Sequence, residues 1–224
     1  MRIFLDTANI EDVAKHFITG LIDGVTTNPT LIRKSGKEPT DVYKELSQIG
    51  VRDISMEVYG SAHEMYETGK QLAHEFNGVA TIKLPMTRCG LLACRELSND
   101  HIRTNVTLVF TIPQAILAAK AGATYVSPFV GRLDDQQVSG LEVVRGIKGL
   151  YAAKHVETQV LAASIRSVHR AVRSFYNGAD VVTMPPSVFE DMYKHILTDA
   201  GLEIFEQDIA QIKCNSVNFI KEYK

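Results

Sequence analysis

Short apolar runs recur eight times along this 224-residue chain, and each is followed by a stretch with helical patterning. The runs read as strands over residues 3–6, 24–27, 54–58, 79–84, 104–108, 125–129, 160–163 and 181–184. Several are apolar at nearly every position, as suits strands covered on both faces in a parallel sheet. The segments between them open with helix-start chemistry. Ser61/Glu64, Thr111/Gln114 and Ser187/Glu190 have capping-box spacing, in which hydroxyl and third residue satisfy each other's backbone donors. Gly50, Gly78, Gly122 and Gly178 fall where a helix ends and the next strand begins, where a left-handed C-cap is useful. Eight such alternations, roughly 20–35 residues apart, predict an α/β chain folded as a (β/α)8 TIM barrel, one domain spanning residues 1–224. A doubly wound sheet would use fewer strands and usually a Gly-rich loop after the first. Here that turn reads LDTANIED, without glycine. Beyond an eighth helix over about 187–197, residues 202–221 read as an additional C-terminal helix. Leu202, Phe205, Ile209, Ile212 and Val217 are its apolar positions, serving to close the barrel or to dock on a neighbouring subunit.

Composition narrows the function classes. Hydrophobic residues at 45% and charged residues at 22% allow a packed core and exclude a disordered chain. The 24 basic and 26 acidic residues give a net charge of −2, and no five like charges run together. No nucleic-acid surface is therefore expected. The start, MRIFLDTANIED, has no apolar signal core. The longest uncharged run, 104–119, falls short of the ~20 apolar residues of a membrane span. The expectation is a cytoplasmic protein with no membrane partner. Cys89, Cys94 and Cys214 form no CxxC, and the seven His include no pair at i, i+4. Disulfides and the common zinc motifs are not expected, and no metal site is predicted.

In barrels of this kind the active site lies where strands end and βα loops begin. The first strand ends at Asp6 and the second at Thr26, Thr27 and Asn28. Glu57, Lys83, Asn105 and Thr107 follow on the third to fifth strands, then Ser127 on the sixth with Arg132 after it, and Ser164 and Arg166 after the seventh. The eighth, ending VVTMPP, offers little polarity. Any one of these could be a satisfied core polar group, but their convergence on one rim has no structural purpose. Lys83 is central. Burying a cation costs desolvation free energy, which favours the neutral amine able to attack a carbonyl and form a Schiff base. The competing reading is a purely structural ion pair with Asp6 or Glu57. In catalysis the carboxylates would divide the work, one taking a hydroxyl proton and the other moving protons through water. Arg132, Ser164 and Arg166 read as an anion clamp suited to a phosphorylated carbonyl substrate.

The segments LDTAN (5–9), GVTTNPTLI (24–32), SMEV (55–58), TIKLPMT (81–87), NVTLVF (105–110), YVSPFVGR (125–132) and LAASIR (161–166) occur in order along strands one to seven. In them the chain resembles the transaldolase family, in particular its small single-barrel branch that includes fructose-6-phosphate aldolase. The segment beyond about 190 adds no motif. SIR stands where long transaldolases usually have SFR. The resemblance implies Lys83 as the Schiff-base lysine and Asp6 as the base acting during carbon–carbon cleavage. It implies Glu57 as acid/base through a water that Thr107 helps hold. Asn28 and Asn105 would bind hydroxyls of a dihydroxyacetone unit, with Ser127 nearby; Arg132, Ser164 and Arg166 would bind phosphate. Thr26 would lie on the same face.

The implied enzyme is a Schiff-base transaldolase that needs no cofactor. It would pass a dihydroxyacetone unit from sedoheptulose 7-phosphate or fructose 6-phosphate to an aldose phosphate in the non-oxidative pentose phosphate pathway. One alternative is a fructose-6-phosphate aldolase releasing free dihydroxyacetone; those aldolases carry Gln and Tyr where this chain has Glu57 and Phe129. Another is a non-catalytic phosphosugar-binding barrel. The resemblance also implies a homo-oligomer, a pentamer-based ring or decamer.

Overall fold

The computed structural model describes the backbone of residues 1–222 and the side chains of residues 1–212. Strands β1 (Arg2–Asp6), β2 (Gly24–Thr26), β3 (Ile54–Glu57), β4 (Ala80–Pro85), β5 (Thr104–Val109), β6 (Tyr125–Pro128), β7 (Gln159–Ala162) and β8 (Val181–Met184) close into a barrel in sequence order. Neighbours run parallel throughout, β8 against β1 included. The expected (β/α)8 architecture is the one observed.

The two-residue strand period sorts the side chains into two cores. Leu5, Val25, Ile54, Met56, Ile82, Leu84, Val106, Val126, Val160 and Val182 belong to the large cluster shared with the helices. Alternate residues Phe4, Tyr125, Leu161 and Val181 form a separate, smaller cluster. Space within the ring decides one glycine. A Cβ on Gly24 would lie 2.6 Å from the Asp53 carbonyl and 2.7 Å from the Phe4 ring, so any side chain there would displace that ring.

The crossovers follow the capping signals with three corrections. Asn9 caps α1 (Ile10–Phe17) by accepting from the backbone N–H of Glu11 and Asp12. The β2–β3 crossover holds two helices rather than one, α2 (Pro29–Ser35) and α3 (Pro39–Ile49), the latter closed by Gly50 at φ 99°. Two of the three expected capping boxes form, at Ser61 for α4 (Ala62–Glu75) and at Thr111 for α6 (Ile112–Lys120). Thr87 caps α5 (Arg88–Asn99) between them. The β6–β7 crossover is also split, into α7 (Val130–Asp135) and α8 (Gly140–Ala153), and α9 (Val168–Tyr176) leads to β8.

The third correction is at Ser187. It lies inside α10 (Pro186–Asp191), because Pro186 starts the helix and Val188 and Phe189 donate to the Pro185 carbonyl. This helix is shorter than the expected eighth, and the C-terminal helix α11 (Ile196–Glu222) starts earlier than residue 202.

Two compact units result, Met1–Phe189 and the segment from Glu190 onward. Along α11, Leu202, Phe205, Ile209 and Ile212 are each at least half exposed. Val217 and Cys214 lie outside the described side chains. Among the described residues no helix is long and apolar enough to cross a membrane.

Candidate active site

Strand register gathers the polar residues before any loop contributes. Asp6 lies beside Thr26, and Thr26 beside Ser55; one step further round, Glu57 lies beside Lys83 and Lys83 beside Asn105. These residues line a cavity of about 320 Å³, apart from Ser55, which sits beneath Asn105.

Lys83 is only 6% exposed. Its Nζ donates to the Thr27 carbonyl at 2.7 Å and lies 3.0 Å from Glu57 Oε2. Asp6 accepts from Thr26 Oγ1 at 2.8 Å. Thr26 Oγ1 also lies 2.7 Å from Thr183 Oγ1. A hydroxyl has one proton to give, so the chain runs from Thr183 to Thr26 to Asp6. Burial pushes the Asp6 carboxyl above the usual carboxylate range, and neither the Lys83 charge nor the Thr26 hydrogen bond cancels that desolvation.

The amides are held by hydrogen bonds. Ser127 Oγ donates to Asn105 Oδ1 at 2.6 Å, and Asn105 Nδ2 donates to Ser55 Oγ at 3.1 Å. Asn28 Oδ1 caps α2 by accepting from Leu31 N at 3.0 Å, which fixes the side chain beside the cavity. Two buried oxygens are less well provided for. Thr107 Oγ1 has no hydrogen-bond partner among the described residues, and Glu57 Oε2 has the ion pair to Lys83 but no well-aligned hydrogen bond. An orphaned buried polar atom costs about 1–3 kcal/mol, a burden more readily explained by chemistry than by folding.

A bulge aims Thr107. Between Val106↔Val126 and Val109↔Pro128, β5 has one residue more than β6, and Leu108 absorbs it at φ 60°. Thr107 and Leu108 consequently both line the cavity, although consecutive residues of a regular strand face opposite ways. Ser164, after β7, is likewise left-handed at φ 58° and reaches the cavity.

On the far wall, Arg132 stands over the Phe129 ring at 4.9 Å, and Phe110 packs on that ring edge-on at 5.7 Å. Arg132, Phe129 and Ser164 line the cavity; Arg166 does not. Its guanidinium is turned to Asp135, with Nη2 donating to Oδ2 at 2.6 Å and Nη1 to Oδ1.

Thr183, Ser55 and Leu108 were not singled out from the sequence. Thr183 was hidden in VVTMPP, although it falls two residues after the inward Val181. Ser55 falls two before Glu57 and so shares its face, a signal that was available. Nothing in the sequence marks the bulge.

A buried amine flanked by carboxylates, ringed by amides and hydroxyls at the strand ends of a (β/α)8 barrel, defines an enzyme rather than a structural core. The model of the transaldolase/fructose-6-phosphate aldolase family matches residues 3–222, and the chain belongs to that family. A Caulobacter vibrioides protein named probable transaldolase is 49% identical over 211 residues, covering 94% of this chain and 97% of the relative. Proteins of the same name from Thermodesulfovibrio yellowstonii and Nitrosopumilus maritimus are 46% and 44% identical, covering 95% and 96% of this chain and 100% and 98% of the relatives.

Proposed function

We propose that the chain is a transaldolase that carries a dihydroxyacetone unit on Lys83 from a ketose phosphate to an aldose phosphate. The observation that carries this reading is the placement of Lys83 Nζ, buried, 3.0 Å from Glu57 and within the field that acts on Asp6. Neutral Nζ attacks the ketose carbonyl, and Glu57, through a water steadied by Thr107, supplies the proton with which the carbinolamine loses water to give the imine. Asp6 then takes the proton from the hydroxyl beside the breaking bond. The aldose leaves as an aldehyde, and the electron pair of the broken bond stays on the three-carbon unit as an enamine. Attack of that enamine on an acceptor aldehyde, with return of the proton from Asp6, reverses the chemistry on a new partner. The raised pKa of Asp6 supports this role, because a carboxylate held against ionisation accepts a proton more readily.

Asn28, Asn105 and Ser127 would hold the hydroxyls of the three-carbon unit, and Arg132, Ser164 and Arg166 the phosphate. Sedoheptulose 7-phosphate and fructose 6-phosphate are the proposed donors, within a non-oxidative pentose phosphate step in the cytoplasm. A single catalytic domain is proposed to assemble as a homo-oligomer in a pentamer-based ring. The exposed apolar residues of α11 support assembly, and light scattering returning the 24.8 kDa monomer would refute it.

Borohydride added with fructose 6-phosphate should trap an adduct on Lys83, read by intact mass and peptide mapping. An unchanged mass at saturating ketose would defeat the proposal in favour of a binding barrel. Glu57 and Phe129, both at the cavity, favour transfer over release of free dihydroxyacetone. Turnover of fructose 6-phosphate should therefore depend on an acceptor aldose; equal rates without acceptor would identify an aldolase instead.

A further inference from the structure

The helix that presents Arg132 ends on two adjacent carboxylates with different duties. Asp134 ties α7 to its surroundings: Oδ2 lies 3.0 Å from Arg170 Nε, and Oδ1 accepts from Gly140 N at 3.3 Å. Asp135 instead spends both oxygens on the terminal nitrogens of Arg166. Those are the nitrogens a guanidinium offers end-on to a phosphate, so carboxylate and phosphate compete for one fork. The hydrogen bonds from Arg166 hold this carboxylate below the usual carboxylate range, and the charges of Arg166 and, to a smaller extent, Arg132 act in the same direction.

The backbone of α7 approaches the β7 loop closely here. Gly131 N donates to Ser164 O at 3.0 Å, and a Cβ on Gly131 would come within 2.3 Å of that carbonyl. Arg166 and Asp135 are about half exposed, at 54% and 46%, so their ion pair is screened by solvent and cheaply exchanged.

We propose that Asp135 is an exchangeable counter-anion of Arg166: it holds the guanidinium beside the cavity until the substrate's phosphate displaces it. This inference rests on the phosphate clamp of the proposed function and makes Asp135 a competitor for that clamp, one that lowers affinity for phosphorylated relative to unphosphorylated sugars. A phosphate carries up to two charges against one on the carboxylate, so it wins the fork. Asp135 also repels the incoming anion, and removing its charge relieves both effects in the same direction.

The test is calorimetric titration of the wild type, Asp135→Asn, Arg166→Gln and the double variant with inorganic phosphate. Asp135→Asn should tighten binding roughly two- to fivefold at low salt, and the gain should shrink at high salt. Arg166→Gln should weaken binding, and in that background Asp135→Asn should add less than half of its separate gain. In kinetics, the KM for fructose 6-phosphate should fall by a similar factor with little change in the KM for fructose. Weaker or unchanged phosphate binding in Asp135→Asn, with Arg166→Gln still weakening it, would overturn the exchange alone. Phosphate binding indifferent to Arg166 would overturn the clamp, and the exchange with it.

Discussion

The barrel buries carboxylates at both ends, and the two ends treat them in opposite ways. At the N-terminal end of the strands, Asp53 is 4% exposed and fully provided for. It accepts from Thr81 Oγ1 and Tyr125 OH, each at 2.7 Å, and from Arg103 Nη1 at 3.3 Å, while Arg2 stands 4.0 Å away. The donors are themselves occupied. Arg2 also donates to Tyr125 OH at 2.7 Å and to Gln159, and Arg103 reaches the Gly78 and Ala80 carbonyls. Burial and the Asp53 charge push the Tyr125 hydroxyl up to about 12, so it stays a donor at any working pH. At the C-terminal end, Asp6 is held against its own ionisation, Glu57 meets a lysine, and Thr107 has no partner among the described residues. Polar satisfaction at one end and its deficit at the other separate the part of the barrel that holds the fold from the part available for chemistry.

Asp6→Asn gives the largest expected effect. Transfer activity should fall about 10²–10⁴-fold, with borohydride trapping the intact six-carbon ketose on Lys83 instead of the three-carbon unit. Its effect on stability should have the opposite sign. Because the folded-state pKa lies above the ordinary 3.8, the ionised carboxylate opposes folding. That penalty is complete above the raised pKa and is relieved as pH falls through it. The variant should therefore melt higher than the wild type at neutral pH, and the margin should close as pH approaches 4. A variant that melts lower at pH 7 would remove the contrast between the ends.

Asp53→Ala should act on the other side of the comparison. Deleting the shared acceptor strands the buried Thr81 and Tyr125 hydroxyls and removes the anion facing Arg2 and Arg103, at a cost of about 2–4 kcal/mol by denaturant titration. The kcat of the fraction still folded should remain near that of the wild type. If stability holds and kcat collapses, the two ends do not divide the work as described.

The smallest effect sharpens a detail. Leu108→Ile is close to neutral in volume, but a β-branched residue tolerates the left-handed backbone at φ 60° poorly. Leu108 already carries the ordinary strain of that conformation, so β-branching should add a loss of about 1 kcal/mol, together with slower adduct formation as Thr107 is re-aimed. An isoleucine accepted at no cost in either measurement would mean that the bulge does not position Thr107.

What could be read from the amino-acid order is what depends on neighbours in the chain. Apolar runs marked all eight strands to within a residue or so, because strands buried on both faces have few other ways to be written. Side-chain caps depend on residues three apart, and the boxes at Ser61 and Thr111 formed as expected. Lys83, Glu57, Asp6 and Asn105 stood out because a charge or amide inside an apolar run is expensive unless it is used. Closure of the ring decided the rest. Whether Thr183 reaches Thr26, whether Arg103 and Tyr125 share Asp53, and whether Arg166 meets Asp135 or the cavity are contacts between residues 31 to 157 positions apart. The bulge at Leu108 arises from the mismatch between β5 and β6, which exists only once both are paired. No local pattern encodes such pairings, because their free energy comes from removing both partners from water together, and the tertiary structure alone determines which partners those are.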